Sequence, residues 1–151
     1  MNEQELRVGN WVLWGVNPVE VKGIHTHTYG IGDNRKCHIY VKVPALANAN
    51  YMAINMGDFE PIPLDHPILA KHRTAYFFDY SSNGASKINY KVSENVRLRL
   101  TKRDSTVTYW QPILMDAEGN EIKLPSVEHL HQLQNLVFAL SGKELEINLS
   151  A

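Results

Sequence analysis

The stretch that decides the fold is residues 96–101, which read Val96-Arg97-Leu98-Arg99-Leu100-Thr101. Successive side chains of a β-strand point to opposite faces, so the apolar residues share one face and the two arginines share the other. We therefore predict a strand here, with one buried face and one cationic face.

A second strand is predicted directly before it, at residues 87–92, with a turn at Glu94-Asn95 between them. If the two strands form a hairpin, Lys91 emerges on the same side as Arg97 and Arg99. Residues 87–103 carry a net charge of +5 and residues 116–151 a net charge of −4, although the whole chain has a formal net charge of −1. Such asymmetry can mark a binding face.

Further short apolar runs flank this hairpin, at residues 75–80, 107–115 and 121–124. Turn residues separate them, as in an antiparallel meander. The first 60 residues show the same kind of pattern, with runs at 11–14, 19–21, 39–43 and 51–56. These runs predict an SH3-like small barrel or a curved antiparallel sheet.

Pro61 and Pro63 stiffen the segment between these halves and remove two backbone donors, so it reads as a connector. A short helix is expected at residues 65–71. We expect a single domain of residues 1–151, with possible sub-halves at 1–60 and 65–151.

A C-terminal amphipathic helix is predicted at residues 127–140, with Ser126 as its N-cap and Gly142 just beyond its end. Its apolar stripe should be core, and its other face, which includes His131 and Gln134, is polar. Alternation over residues 145–149 predicts a final strand. The predicted fold class is therefore α+β and rich in β-structure.

Composition excludes several classes of protein. Cys37 is the single cysteine of the 151 residues, so no internal disulfide holds the fold. No apolar run approaches the roughly 18 residues of a membrane span, and the acidic N-terminus is unlike a secretory signal. We expect a cytoplasmic protein with no membrane partner.

Three stretches together resemble a known family. They are residues 5–12 (Glu5-Leu6-Arg7-Val8-Gly9-Asn10-Trp11-Val12), residues 59–64 (Phe59-Glu60-Pro61-Ile62-Pro63-Leu64) and residues 130–145, which begin Leu130-His131-Gln132-Leu133-Gln134-Asn135. They are similar to small uncharacterised proteins carried by phages and prophages of gut bacteria. The resemblance implies a phage or mobile-element origin but no catalytic or binding residues. Residues 75–115 depart most from the family pattern.

The histidines suggest one candidate functional site, a metal centre. His25 and His27 would share a face of a strand, and a hairpin partner would add either Cys37 or His38, depending on the pairing register. The set lacks the paired ligand spacing of structural zinc motifs. Exposed polar strand residues explain the same pattern, so we expect no metal and no other cofactor.

The basic stretch is the stronger functional lead. Cations beside aromatic rings suit a nucleotide or single-stranded nucleic acid. The alternative is an ordinary solvated sheet face, whose charges protect an edge from aggregation. The predicted ligand-binding residues are Lys91, Arg97, Arg99, Tyr80, Tyr109 and Trp110.

We therefore expect a non-enzymatic binding protein that takes a small anionic ligand, a nucleic acid or a host protein. The most specific version is sequestration of a nucleotide-like host signal, which would counter host defence. A structural or assembly protein that forms homo-oligomers is one alternative. A metal-dependent hydrolase built on the histidines is another.

Overall fold

The computed structural model describes residue 1 and residues 4–28, 35–41, 51–71, 79–80 and 86–149. In this part of the chain, two five-stranded antiparallel sheets are followed by a C-terminal helix, which confirms the predicted β-rich α+β class. No helix among these residues has the length and apolar character to cross a bilayer.

The chain divides into two compact units. Unit 1 comprises Met1–Ile62 and Asn148–Ala151, and unit 2 comprises Pro63–Ile147. The division falls within the proline-containing connector. The single-domain organisation stays a prediction.

Five strands form the sheet of unit 1. They are β1 (Trp11–Trp14), β2 (Asn17–Thr28), β3 (Arg35–Val41), β4 (Met52–Asn55) and β5 (Phe59–Pro61). Their order is β4-β3-β2-β1-β5. After the four-stranded meander, a 3-10 turn at Met56–Asp58 leads into β5, which returns to pair with β1. The SH3-like barrel expected for these residues stays a prediction.

Local chemistry explains how β1 and β2 are joined. Gly15 (φ 60°) and Val16 form a two-residue turn between the paired residues Trp14 and Asn17. Glycine in the left-handed region at the first turn position is typical of a type II′ hairpin. Residues 17–20 of β2 pair with β1 and residues 21–28 lie beside β3, and the register of the β2–β3 pairing shifts between Val21 and Gly23. A bulge of this kind bends the strand and lets one sheet curve around a core.

Eight buried apolar residues form the core of unit 1: Leu6, Val12, Val19, Val21, Ile39, Val41, Ile54 and Phe59. They come from all five strands and the N-terminal segment. Burial of several β-branched side chains on one face is what alternation along these strands predicts.

A consecutive meander forms the sheet of unit 2. Its strands are β6 (Asp79–Tyr80), β7 (Ser86–Lys91), β8 (Arg97–Thr101), β9 (Gln111–Met115) and β10 (Glu121–Lys123). The unit also contains α1 (Pro67–Lys71) and α2 (Leu130–Ser141). The second meander predicted from sequence is therefore present.

Proline in the interior strand β9 requires a compensating contact, because Pro112 has no N–H to give to its neighbour. Leu124 donates its backbone N–H to the carbonyl of Pro112 at 3.0 Å, but Pro112 cannot donate in return. The side-chain amide Nε2 of Gln111 fills this role and donates to the carbonyl of Leu124 at 2.6 Å. The side chain before the proline thus replaces the missing ladder bond.

The C-terminal helix begins later than predicted. Its N-cap is His129 rather than Ser126. The reason is long-range pairing, since Val127 exchanges two backbone hydrogen bonds with Trp110, at 2.7 and 3.0 Å, and His129 bridges to Pro63. These pairings hold the backbone extended up to the first turn of the helix. Gly142 (φ 68°) follows the last helical residue, as predicted, and donates to the carbonyl of Phe138 at 2.8 Å.

The predicted final strand is wrong. Residues 144–149 form neither helix nor strand, although Leu145 and Leu149 are buried. Alternating burial therefore occurs here without ladder pairing. His131 and Gln134 are also buried, each 1% exposed, so the buried face of α2 is wider than its apolar stripe.

Candidate functional site

The hairpin of β7 and β8 sets the geometry of the predicted cationic site. Lys91 lies directly opposite Arg97, and Asn89 lies opposite Arg99. Directly opposed residues of an antiparallel pair share a face, as do residues two apart on one strand. Lys91, Arg97 and Arg99 therefore emerge together on one side of the hairpin, as the alternation predicts.

Burial of the other side decides which face is exposed. Ile88, Leu98 and Leu100 are each 0% exposed and occupy the intervening positions of β7 and β8. Removing these side chains from water favours the observed orientation by about 1.5–3 kcal/mol each. The cations are consequently driven outward by the burial of their apolar neighbours.

The same face continues across the sheet. Arg97 pairs with Met115 and Arg99 with Ile113 in β9, and these pair in turn with Glu121 and Lys123 in β10. We call this side of the unit 2 sheet the outer face. The described side chains on it are Lys87, Asn89, Lys91, Arg97, Arg99, Thr101, Gln111, Ile113, Met115, Glu121 and Lys123.

Basic side chains dominate the charge of the outer face, on which Glu121 is the one carboxylate among the described side chains. Lys91 also contacts Glu94 in the adjoining turn at 3.0 Å, but their side chains are 58% and 88% exposed. Hydrogen bonding and charge from Lys91 lower the pKa of Glu94. An exposed pair of this kind is worth little and competes weakly with another anion.

Neither Arg97 nor Arg99 forms an ion pair within the described part of the chain. Arg97 is exposed and Arg99 is half-buried. A guanidinium keeps its charge and presents several N–H donors in a planar fork, which matches carboxylate and phosphate groups.

Of the aromatic residues predicted to stack on a ligand, Trp110 is buried and Tyr109 is exposed. Trp110 is 1% exposed, so its ring has no surface on which a ligand could stack, and that part of the prediction is wrong. Trp110 lies two residues before Pro112, which pairs with fully buried Leu100, so alternation places the ring on the buried side of the sheet. Tyr109 is 42% exposed and stays a candidate. The side chain of Tyr80 lies outside the described part of the structure, although its backbone pairs with Ser86.

Two cations that contribute to the basic stretch lie outside the outer face. Lys102 is 10% exposed, contacts Asp65 at 2.6 Å and lies 6.0 Å from the centre of the Trp110 ring. It acts as a structural link between distant segments. Arg103 contacts Asp104 at 3.1 Å.

Asp104 organises the loop between β8 and β9. It accepts hydrogen bonds from the Thr106 hydroxyl and from the Thr106 backbone N–H, the latter at 2.8 Å. These bonds, with a smaller contribution from Arg103, lower the pKa of Asp104 from 3.8 to about 2. The carboxylate has a local structural role here.

Among the side chains that the structure describes, the candidate metal ligands do not assemble a three-ligand site. His25 pairs directly with His38 across β2 and β3, whereas Cys37 pairs with Thr26 and so lies on the opposite face, where it is buried. The side chain of His27 is outside the described part. Among the described residues, no group of three His, Cys, Asp or Glu side chains is suited to hold a metal ion. The hydrolase alternative therefore has no geometric support from these residues.

Sequence reasoning missed two cations of the outer face, Lys87 and Lys123. Lys87 pairs with Thr101, two positions along from Arg99, so alternation within the hairpin could have identified it. Lys123 comes to this face through the pairing of β10 with β9. The connection between β9 and β10, residues 116–120, is as short as the connection between β7 and β8, residues 92–96, and Asp116 organises it by accepting the backbone N–H groups of Glu118 and Asn120. The turn residues of this segment were therefore the signal for the pairing.

Comparisons with known proteins give no further information about this site. The chain matches no protein-family model, no curated protein and no solved structure. The resemblance to phage-borne proteins therefore stays a prediction.

Proposed function

We propose that this is a non-enzymatic binding protein that holds a phosphate-bearing ligand on the outer face of unit 2. The observation that carries the proposal is the placement of Lys91, Arg97 and Arg99 on neighbouring strands of one exposed face. The two arginines have no carboxylate partner among the described residues.

The spacing of these cations supports a ligand with several phosphates. Opposed side chains on paired strands start about 5 Å apart, and residues two apart on a strand are separated by roughly 7 Å. The positive charges are therefore spaced both across the strands, from Lys91 to Arg97, and along β8, from Arg97 to Arg99. Such an array suits an extended polyanion, such as the backbone of a single-stranded nucleic acid, or the phosphate chain of a nucleotide.

The chemistry of the face favours binding over catalysis. Its described side chains include basic, amide, hydroxyl and apolar groups, and Glu121 is the one carboxylate among them. Catalysis of proton transfer needs a positioned acid or base near the reacting atoms. Glu121 lies two strands away from Arg97.

Stacking on a base would fall to Tyr109, the exposed aromatic residue that precedes β9. The most specific version of the proposal, sequestration of a nucleotide-like host signal, needs both this ring and the arginines. It also draws on the resemblance to phage-borne proteins. A nucleic acid and a nucleotide share the phosphate chemistry, so the experiment must separate them.

The test is fluorescence anisotropy with a labelled single-stranded oligonucleotide at several salt concentrations, with unlabelled ATP as competitor. The variant is Arg97→Gln/Arg99→Gln, and the control is Lys22→Gln/Lys143→Gln, which removes two cations outside the unit 2 sheet. We expect the arginine variant to make the slope of log K against log salt shallower by roughly 1.4, since each single-strand phosphate contact contributes about 0.7. The control should keep the wild-type slope.

Displacement by ATP, together with weaker ATP binding in Tyr109→Leu, would identify a nucleotide as the ligand. Failure of ATP to displace the strand would identify nucleic acid. The proposal is overturned if neither probe binds, or if the arginine variant and the control lose affinity equally.

A further inference from the structure

Strand β10 forms one edge of the unit 2 sheet, and no described strand pairs with its far side. All three of its residues, Glu121, Ile122 and Lys123, are exposed, and Ile122 is 60% exposed. An open strand edge presents unpaired N–H and C=O groups to any chain that can add a strand. This edge therefore has hydrogen-bonding capacity that the described residues do not use.

The hydrogen-bond pattern shows which groups of β10 point outward. Asp116 donates its N–H to the carbonyl of Asn120 at 3.1 Å, and Leu124 donates to Pro112 at 3.0 Å. Hydrogen-bonded and non-bonded pairs alternate along an antiparallel ladder, so Ile122 also directs its backbone groups toward β9. The N–H and C=O groups of Glu121 and Lys123 consequently point away from the sheet.

We propose that β10 pairs with β10 of a second copy of this chain, antiparallel and about a two-fold axis at Ile122. Glu121 of each copy then lies opposite Lys123 of the other, and these are the residues whose backbone groups are free to form the new ladder. Ile122 of one copy lies directly opposite Ile122 of the other, on the face opposite to the charged side chains. Two cross-strand ion pairs form at the same register as the backbone hydrogen bonds.

Charge selects this register over its neighbours. A shift by two residues would place Glu121 opposite Glu121, or Lys123 opposite Lys123, and directly opposed like charges are destabilising. Edge strands that resist pairing commonly carry charges for that purpose. Here the two charges have opposite sign and symmetric positions about Ile122, so self-pairing satisfies them. The two charges lie on the outer face, but the pairing of the strand edges needs no ligand there.

The small size of the contact limits its strength. Three residues on each copy cover much less than the roughly 800 Å² per partner that is typical of stable interfaces. We therefore expect a weak dimer that forms as concentration rises. Exposed Ile122, which pairs with half-buried Leu114, supplies its apolar part.

Sedimentation velocity of the full chain over a range of concentrations tests the proposal. The variants are Glu121→Lys and Lys123→Glu, each of which places like charges opposite one another in both cross-strand pairs. Either change should weaken dimerisation by roughly tenfold or more, as expected when attractive pairs become repulsive. Circular dichroism of each variant confirms that it is folded.

Two further samples make the test specific. The charge swap Glu121→Lys/Lys123→Glu restores opposite charges and should recover the wild-type dimer. An equimolar mixture of the two single variants should also dimerise. One variant then has lysine at both positions and the other has glutamate at both, so opposite charges face each other in each cross-strand pair. The proposal is overturned if the wild type stays monomeric at every concentration, if the single variants associate like the wild type, or if neither the swap nor the mixture restores association.

Discussion

Replacing Gln111 tests whether a side chain really substitutes for the hydrogen bond that Pro112 cannot make. The Gln111 amide donates to the carbonyl of Leu124 at 2.6 Å, and this carbonyl would otherwise face the proline ring nitrogen. Gln111→Ala removes this donor, so the carbonyl of half-buried Leu124 loses its hydrogen bond. We expect a loss of about 1 kcal/mol in the free energy of unfolding, which is the usual net value of one hydrogen bond.

The informative measurement is a double-mutant cycle with Pro112→Ala. Alanine restores a backbone N–H at this position, which can donate directly to the carbonyl of Leu124. In that background Gln111→Ala should cost roughly 0–0.5 kcal/mol, so the two sites should be coupled by about 0.5–1 kcal/mol. The packing cost of removing the buried proline ring appears in both arms and cancels.

Urea denaturation followed by circular dichroism gives the four unfolding free energies. Asn89→Ala is the matched control, since it also converts an amide on the outer face to a methyl group and should change stability by less than about 0.5 kcal/mol. Equal costs of Gln111→Ala in the proline and alanine backgrounds would show that the side chain does not replace the missing donor.

Two other predictions concern the loop after β8. The pKa of Asp104 is lowered from 3.8 to about 2, so the stabilisation that its carboxylate provides is complete above pH 3.8 and is lost as the pH falls toward 2. The difference in unfolding free energy between wild type and Asp104→Asn should therefore shrink as the pH falls through this window. A difference that does not change with pH would contradict this prediction. Asp65→Asn should destabilise the protein by about 1–2 kcal/mol in urea denaturation, because it leaves Lys102, whose side chain is 10% exposed, without its carboxylate. Lys102→Met, which keeps an apolar chain beside Trp110, should cost less than Asp65→Asn, and the reverse order would refute the argument.

Local alternation was sufficient to predict the hairpin at the centre of the candidate site. Leu98 and Leu100 can be buried together only if Arg97 and Arg99 face the other way, and the period of two fixes this without reference to the rest of the chain. The turn at Glu94-Asn95 sets the register with Lys91. The shared face of Lys91, Arg97 and Arg99 could therefore be predicted from sequence.

Features that depend on distant partners were not readable in this way. The pairing of Trp110 with Val127 is one such feature, because nothing near Trp110 in sequence reveals it. The same pairing delays the start of α2, overriding the capping signal of Ser126 at the expected position. The choice between Cys37 and His38 as a partner of His25 likewise needed the register of β2 and β3.

The order in which residues join the two units affects how the chain folds as it is made. Unit 2 is one continuous segment, whereas unit 1 also includes Asn148–Ala151, in which Leu149 is only 2% exposed. A ribosome therefore delivers the whole of unit 2 before the last buried side chain of unit 1 exists. Because domains commonly fold as they emerge, unit 1 starts to be synthesised before unit 2 but can complete its buried set of side chains only after unit 2 has emerged.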